Sequence, residues 1–112
     1  MIDDLQQTGL LMESLKEILP FETLVSAGLA RTIQKEQPSF RAWQRCQVQE
    51  LHYLGDEGGI TCHVVVPGGG DRILLASITN LVVDPAMPLA REVAAYQKRR
   101  IKRLRRSWRT AA

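Results

Sequence analysis

The sequence is poor in the residues from which disulfide scaffolds and zinc sites are usually built. Its 112 residues include two cysteines and two histidines, with no Cys-x-x-Cys pair. Two cysteines are too few for a disulfide scaffold. Cys62 and His63 are adjacent, so on a strand their side chains would point to opposite faces, and Cys46 and His52 would lie about 20 Å apart along a strand. We therefore predict reduced thiols, no metal site and no cofactor.

Long apolar runs and a secretory leader are also missing. The first residues, Met1-Ile2-Asp3-Asp4, carry acidic charge in place of the positive charge and apolar run of a secretory signal. The longest apolar run is short, near residues 73–76, so no transmembrane helix is predicted. These features lead us to expect a soluble, cytoplasmic protein.

No catalytic signature is evident. Gly68-Gly69-Gly70 is not followed by a Gly-Lys-Ser/Thr motif, so we interpret it as a turn and not as a phosphate loop. The paired carboxylates Asp3-Asp4 and Asp56-Glu57 fall at a terminus and in a turn, where we expect them to be solvated. Glu50 and His52 would form a candidate site if they were buried together, but with no nucleophile or metal beside them they do not predict an enzyme.

What the chain does contain is enough apolar residues for one compact core. The apolar fraction is 45%, which is too high for a disordered chain, and 112 residues suit a single domain. Aromatic residues make up only 5% of the sequence, so leucine, isoleucine and valine must fill most of that core.

The pattern of apolar residues predicts an α+β fold in the order helix, helix, three strands, helix. We expect a helical pair within residues 1–36, with its helices at 3–19 and 21–36 because apolar residues recur at helical spacing. An antiparallel sheet over residues 42–83 would have strands at 42–54, 60–66 and 72–83, joined by glycine-rich turns at 55–59 and 67–71. The predicted core-facing side of the sheet carries Cys46, Val48, Leu54, Ile60, Cys62, Val64, Val66, Leu74, Ala76 and Ile78. Glu50 and His52 fall on this apolar face in the same register, which is a local conflict.

The last predicted helix, residues 87–109, is amphipathic and packs on the sheet. At 100° per residue its apolar side chains share an arc of roughly 160°. They are Leu89, Ala90, Val93, Ala94, Tyr96, Ile101, Leu104 and Trp108. Only Arg100 falls within this apolar stripe.

The opposite face of this helix is strongly basic. Residues 1–90 contain 6 Lys and Arg against 11 Asp and Glu, whereas residues 91–112 contain 9 against 1. The helix places several like charges four residues apart, and each such pair costs about 0.2–0.5 kcal/mol. A surface without a binding role would more easily mix both signs, so the face predicts an anionic partner. The predicted binding residues are Lys98, Arg99, Lys102, Arg103, Arg105, Arg106 and Arg109.

Three partners remain open for this basic face. Nucleic acid is favoured, with RNA before DNA, because arginine suits phosphate and outnumbers lysine here. The alternative is an adaptor or assembly factor that docks an acidic protein surface, including the acidic body of a second copy in a homo-oligomer. A membrane surface is disfavoured, because the apolar face is expected to be buried. Without the first helix, the order α-β-β-β-α is that of double-stranded-RNA-binding domains, but their basic cluster opens the last helix, so the shared order is only an analogy.

Overall fold

The computed structural model describes the backbone of residues 3–66 and 73–111, and the side chains of these residues up to Arg106. The predicted turn at 67–71, the start of the third predicted strand and the side chains of Trp108 and Arg109 lie outside this part of the chain. The helices are α1 (Leu5–Glu17), α2 (Ala27–Gln34) and α3 (Ala90–Ala111). The strands are β1 (Phe21–Val25), β2 (Arg45–Tyr53), β3 (Ile60–Val65), β4 (Ile73–Ser77) and β5 (Leu81–Val82).

The fold is mixed α+β, as predicted, but its antiparallel sheet has five strands in the order β4-β3-β2-β1-β5 instead of three. The first additional strand is β1, where a single helix over residues 21–36 was predicted. Phe21, Thr23 and Val25 alternate towards the core, which satisfies the two-residue period of a strand. Ser26 then caps α2, because its side chain accepts a hydrogen bond from the backbone N–H of Leu29 at 3.4 Å.

The second additional strand arises because the predicted strand over 72–83 divides in two. Its first part is β4, at one edge of the sheet, and its last part is β5, at the opposite edge. Only a short 3₁₀ turn, Ile78–Asn80, separates the two. A link of three residues can join opposite edges only if the sheet curls and brings them close together. The sheet is therefore strongly curled.

An extra residue in β2 corrects the predicted positions of Glu50 and His52. Val48 pairs with Val64, but the next pair is Glu50 with His63, so β2 has one residue more than β3 at this point. Such a β-bulge reverses the alternation of side chains beyond it. Glu50 and His52 consequently leave the apolar face and are exposed, whereas Leu51 is buried.

The core lies on the concave side of the sheet, against the helices. The predicted core-facing residues Cys46, Val48, Ile60, Cys62, Val64, Val66, Ala76 and Ile78 are buried, and Leu74 is half-buried. Leu54, by contrast, is 55% exposed, because it follows the bulge and ends the strand. Leu11 and Leu15 of α1 and Val93 and Tyr96 of α3 complete the core. Within the described residues, no helix combines the length and the apolar character needed to cross a membrane.

Candidate functional site

Helix α3 is fixed to the domain by its first half. Val93, Tyr96 and Arg100 recur at helical spacing and are buried. Beside them, the Gln97 side-chain amide donates hydrogen bonds to the carbonyl oxygens of Ile78 and Leu81, at 2.6 and 2.8 Å. These bonds hold the helix against the turn that links the two edges of the curled sheet.

The second half of α3 presents its basic side chains to solvent. From residue 101 to residue 106, Leu104 is half-buried and the other five residues are exposed. The predicted binding residues Lys98, Arg99, Lys102, Arg103, Arg105 and Arg106 are all exposed, and together we call them the basic face. Arg109, the seventh predicted residue, has a side chain outside the described part. The basic face is thus exposed on a helix whose first half is anchored in the core.

The buried side of α3 is narrower than the predicted apolar stripe and is centred differently. Ala94 and Ile101, at one margin of the stripe, are exposed, with Ile101 at 40%. Arg100, which was predicted to interrupt the stripe, lies at the middle of the buried side and is 2% exposed. A guanidinium at this position needs a carboxylate and hydrogen bonds around it, because isolated buried charge is very costly.

Asp3 supplies that carboxylate. Its Oδ2 atom accepts hydrogen bonds from Arg100 Nη1 at 2.8 Å, from the Tyr53 hydroxyl at 2.9 Å and from the Tyr96 hydroxyl at 3.1 Å. The Asp3 and Arg100 side chains are each 3% exposed. The prediction that Asp3 is solvated at the start of a helix is therefore wrong. Asp4 takes the helix position, where its Oδ1 accepts from the backbone N–H of Gln7 and caps α1.

The remaining groups of this buried network are also paired. The second guanidinium nitrogen of Arg100 donates to the Asp56 carbonyl at 2.7 Å, and the Tyr96 hydroxyl accepts from the Ile60 N–H at 3.1 Å. Among the described residues, every buried side-chain nitrogen or oxygen atom has a hydrogen-bond partner. Burial, together with the Asp3 carboxylate, raises the pKa of Tyr53 and of Tyr96 to about 12, so both hydroxyls remain protonated donors. This saturated network anchors α3 and leaves no group directed at a ligand.

Gly59 is required where the network meets the turn between β2 and β3. Its φ of 60° lies in the left-handed region, and a Cβ atom there would stand 2.9 Å from the Arg100 guanidinium carbon and still closer to the Tyr96 hydroxyl. The predicted glycine turn at 55–59 is confirmed, with the Gly59 N–H donating to the Gly55 carbonyl at 2.8 Å. The close approach of two side chains explains why glycine is needed at this position.

A second polar cluster lies on the convex face of the sheet. Glu50 Oε2 is 3.6 Å from His63 Nδ1 and 3.8 Å from His52 Nε2, and the two imidazole rings are centred 4.6 Å apart. We call Glu50, His52 and His63 the histidine cluster. The predicted register separated His63 from the other two residues, and the bulge in β2 brings all three to one face. No signal in the sequence marks that bulge.

Both cysteines lie on the concave side of the sheet, away from the histidine cluster. They are free and buried, and burial raises the pKa of the Cys46 thiol to about 11 and that of the Cys62 thiol to about 12. A protonated, enclosed thiol is a poor nucleophile and a poor metal ligand. The cysteines therefore belong to the core.

No family model, curated protein or solved structure matches the chain significantly. Function is consequently argued from the two exposed features that the fold assembles, the basic face and the histidine cluster.

Proposed function

We propose that this chain is a small non-catalytic binding protein that contacts nucleic acid, RNA in preference to DNA, through the basic face of α3. One observation carries the proposal. Six arginine and lysine side chains are exposed along one helix, and buried contacts hold the first half of that helix in the core. A helix holds the backbone of these residues in place, so little backbone conformational entropy is lost when a polyanion binds.

The chemistry of the basic face suits a sugar–phosphate backbone. Residues 98–106 extend over about 12 Å of helix axis, at a rise of 1.5 Å per residue. Phosphates of one strand are spaced a few ångströms apart, so several of them fit within that length. Arginine binds phosphate through two parallel N–H groups, and its planar guanidinium stacks on the unpaired bases of RNA loops. That stacking is our reason for expecting a preference for RNA.

The arrangement of charge within α3 gives a second argument. Lys102 lies one turn from Lys98 on one side and from Arg106 on the other. Like charges at this spacing repel by about 0.2–0.5 kcal/mol for each pair. A face that lowers the stability of the free helix is more readily explained by a bound counter-charge than by solvation alone.

The test compares two variants with the same change in net charge. The first reverses Lys98, Lys102 and Arg105 of the basic face to glutamate. The control reverses Lys16, Arg31 and Lys35, which are exposed on α1, on α2 and just beyond α2. Fluorescence anisotropy would follow binding to a labelled RNA hairpin, a single-stranded RNA and a DNA duplex. The salt concentration would be varied between about 50 and 200 mM, a range over which phosphate contacts weaken strongly.

We expect the wild-type protein and the control to bind RNA alike, and the basic-face variant to lose binding. The slope of log affinity against log salt should fall by roughly one for each phosphate contact removed. Failure of the wild-type protein to bind any of the three probes at low salt, or equal losses in both variants, would overturn the proposal. A stoichiometric acidic protein, or a second copy of the chain, captured through the basic face after nuclease treatment would decide for the alternative function.

A further inference from the structure

The histidine cluster contains both histidines of the chain. His52 is in β2 and His63 is opposite Glu50 in β3, so the three side chains converge only because the bulge shifts the register of β2. A carboxylate oxygen of Glu50 lies within 4 Å of a nitrogen atom of each imidazole. The cluster therefore joins one carboxylate and two imidazoles at a single point on an exposed surface.

The distances within the cluster approach those around a zinc ion. Zinc binds imidazole nitrogen at about 2.0–2.1 Å and carboxylate oxygen at about 2.0–2.2 Å, so the ligand atoms of a tetrahedral site lie roughly 3.4 Å apart. The distances from Glu50 Oε2 to the histidine nitrogens are 3.6 and 3.8 Å, and all three potential ligand atoms lie within 4.8 Å of one another. The ligand atoms reach that spacing only if the side chains rotate, and the exposed Glu50 and His52 side chains have room to do so.

An ion pair alone is a weak explanation for this arrangement. The Glu50 side chain is 65% exposed and that of His52 is 56% exposed, and an exposed pair of this kind contributes about 0–1 kcal/mol. The two imidazole rings are also centred only 4.6 Å apart. A divalent metal ion would bind a ring nitrogen of each imidazole and balance the charge of the carboxylate, which accounts for all three side chains together.

We propose that Glu50, His52 and His63 bind a zinc ion on the convex face of the sheet. Two histidines and one carboxylate form a ligand set that suits zinc, and three protein ligands leave the fourth position of the metal directed to solvent. The proposal departs from the absence of metal expected from the sequence, which rested on the spacing between cysteines and histidines. It is independent of the basic face, because α3 supplies none of the three ligands.

Isothermal titration of the full chain, without an affinity tag, with ZnCl₂ in a non-chelating buffer at neutral pH tests the site. We expect one zinc ion per chain in the wild-type protein. The variants Glu50→Gln, His52→Gln and His63→Gln should each weaken binding by at least about tenfold, since loss of even a supporting residue typically has that effect. Glu17→Gln on α1 is the control, because it removes an exposed carboxylate of the same kind elsewhere.

Cobalt provides a second readout that does not depend on affinity alone. Co²⁺ bound at the same site should show the visible absorption bands of a tetrahedral nitrogen–oxygen environment, and these bands should be absent in His63→Gln. Circular dichroism would verify that the variants keep their fold. A wild-type protein that binds no zinc overturns the proposal, and so does zinc that binds the three cluster variants as tightly as the control.

Discussion

At the scale of single residues, Asp3 and Arg100 each require the other as a buried counter-charge. They are 97 positions apart in the chain and form a hydrogen-bonded ion pair out of contact with water. Removing one partner of such a pair leaves an uncompensated buried charge. We therefore expect Asp3→Ala to lower the free energy of unfolding by about 3–5 kcal/mol. Urea unfolding followed by circular dichroism measures this loss.

Asp4→Ala is the matched control, because Asp4 is the neighbouring aspartate and its loss removes only the cap of α1, at a cost of about 1 kcal/mol. Combining Asp3→Ala with Arg100→Met should cost less than the sum of the two single changes, since no isolated charge then stays in the core. Equal effects of Asp3→Ala and Asp4→Ala would contradict the role of the pair.

Part of this pair could be read from the sequence. Arg100 was the only charged residue in the apolar stripe of the last helix, and a charge in that position signals a buried counter-ion. The chain has 12 aspartates and glutamates, however, and spacing along the sequence cannot select among partners so distant. Asp3 was instead assigned to the helix start, a position that Asp4 fills equally well.

At the scale of elements, the bulge in β2 decides which face of the sheet carries Glu50 and His52. Deleting Gln49 would make β2 match β3 residue for residue, and Glu50 would then follow Val48 directly, so that Glu50 and His52 stay on the outer face and Leu51 stays on the core-facing side. Because no polar side chain moves into the core, we expect the deletion to cost no more than about 1 kcal/mol, the typical effect of a single change. In Gln49→Ala, which keeps the residue count, stability should change by no more than about 0.5 kcal/mol. A loss of several kcal/mol in the deletion variant would contradict the conclusion that Gln49 is the extra residue of the strand.

The elements that the sequence predicted well are those with local signals. The glycine turn at 55–59, the core-facing residues of β3 and the helical character of α3 follow from composition and periodicity. Segment 21–25 fits both a helical and a strand period, and its partners β2 and β5 lie far along the chain. Pairing with these distant strands makes the segment a strand, although its local sequence fits a helix equally well.

At the scale of the whole molecule, the five-strand topology also removes the analogy with double-stranded-RNA-binding domains. What persists from the sequence is the separation of charge between residues 1–90 and 91–112. The structure bears on one question that the sequence left open, since the six described side chains of the basic face are exposed. The cluster of Glu50, His52 and His63 could not be predicted, because it depends on a bulge without a local signature.

The proposed function predicts that the exposed like charges of α3 lower stability and strengthen binding. Lys102→Glu replaces two repulsive i,i+4 pairs, with Lys98 and with Arg106, by attractive ones. At about 50 mM salt we expect this change to raise the free energy of unfolding by roughly 1 kcal/mol, and the gain should shrink as salt screens the charges. The same variant should bind RNA more weakly. Urea unfolding and fluorescence anisotropy on one preparation measure both effects, with Lys35→Glu as the control outside α3.

If Lys102→Glu destabilised the protein or left RNA binding unchanged, the like charges of α3 would not be retained for a partner. A gain in stability joined to a loss of binding is the result expected if the basic face is maintained for contact with a polyanion.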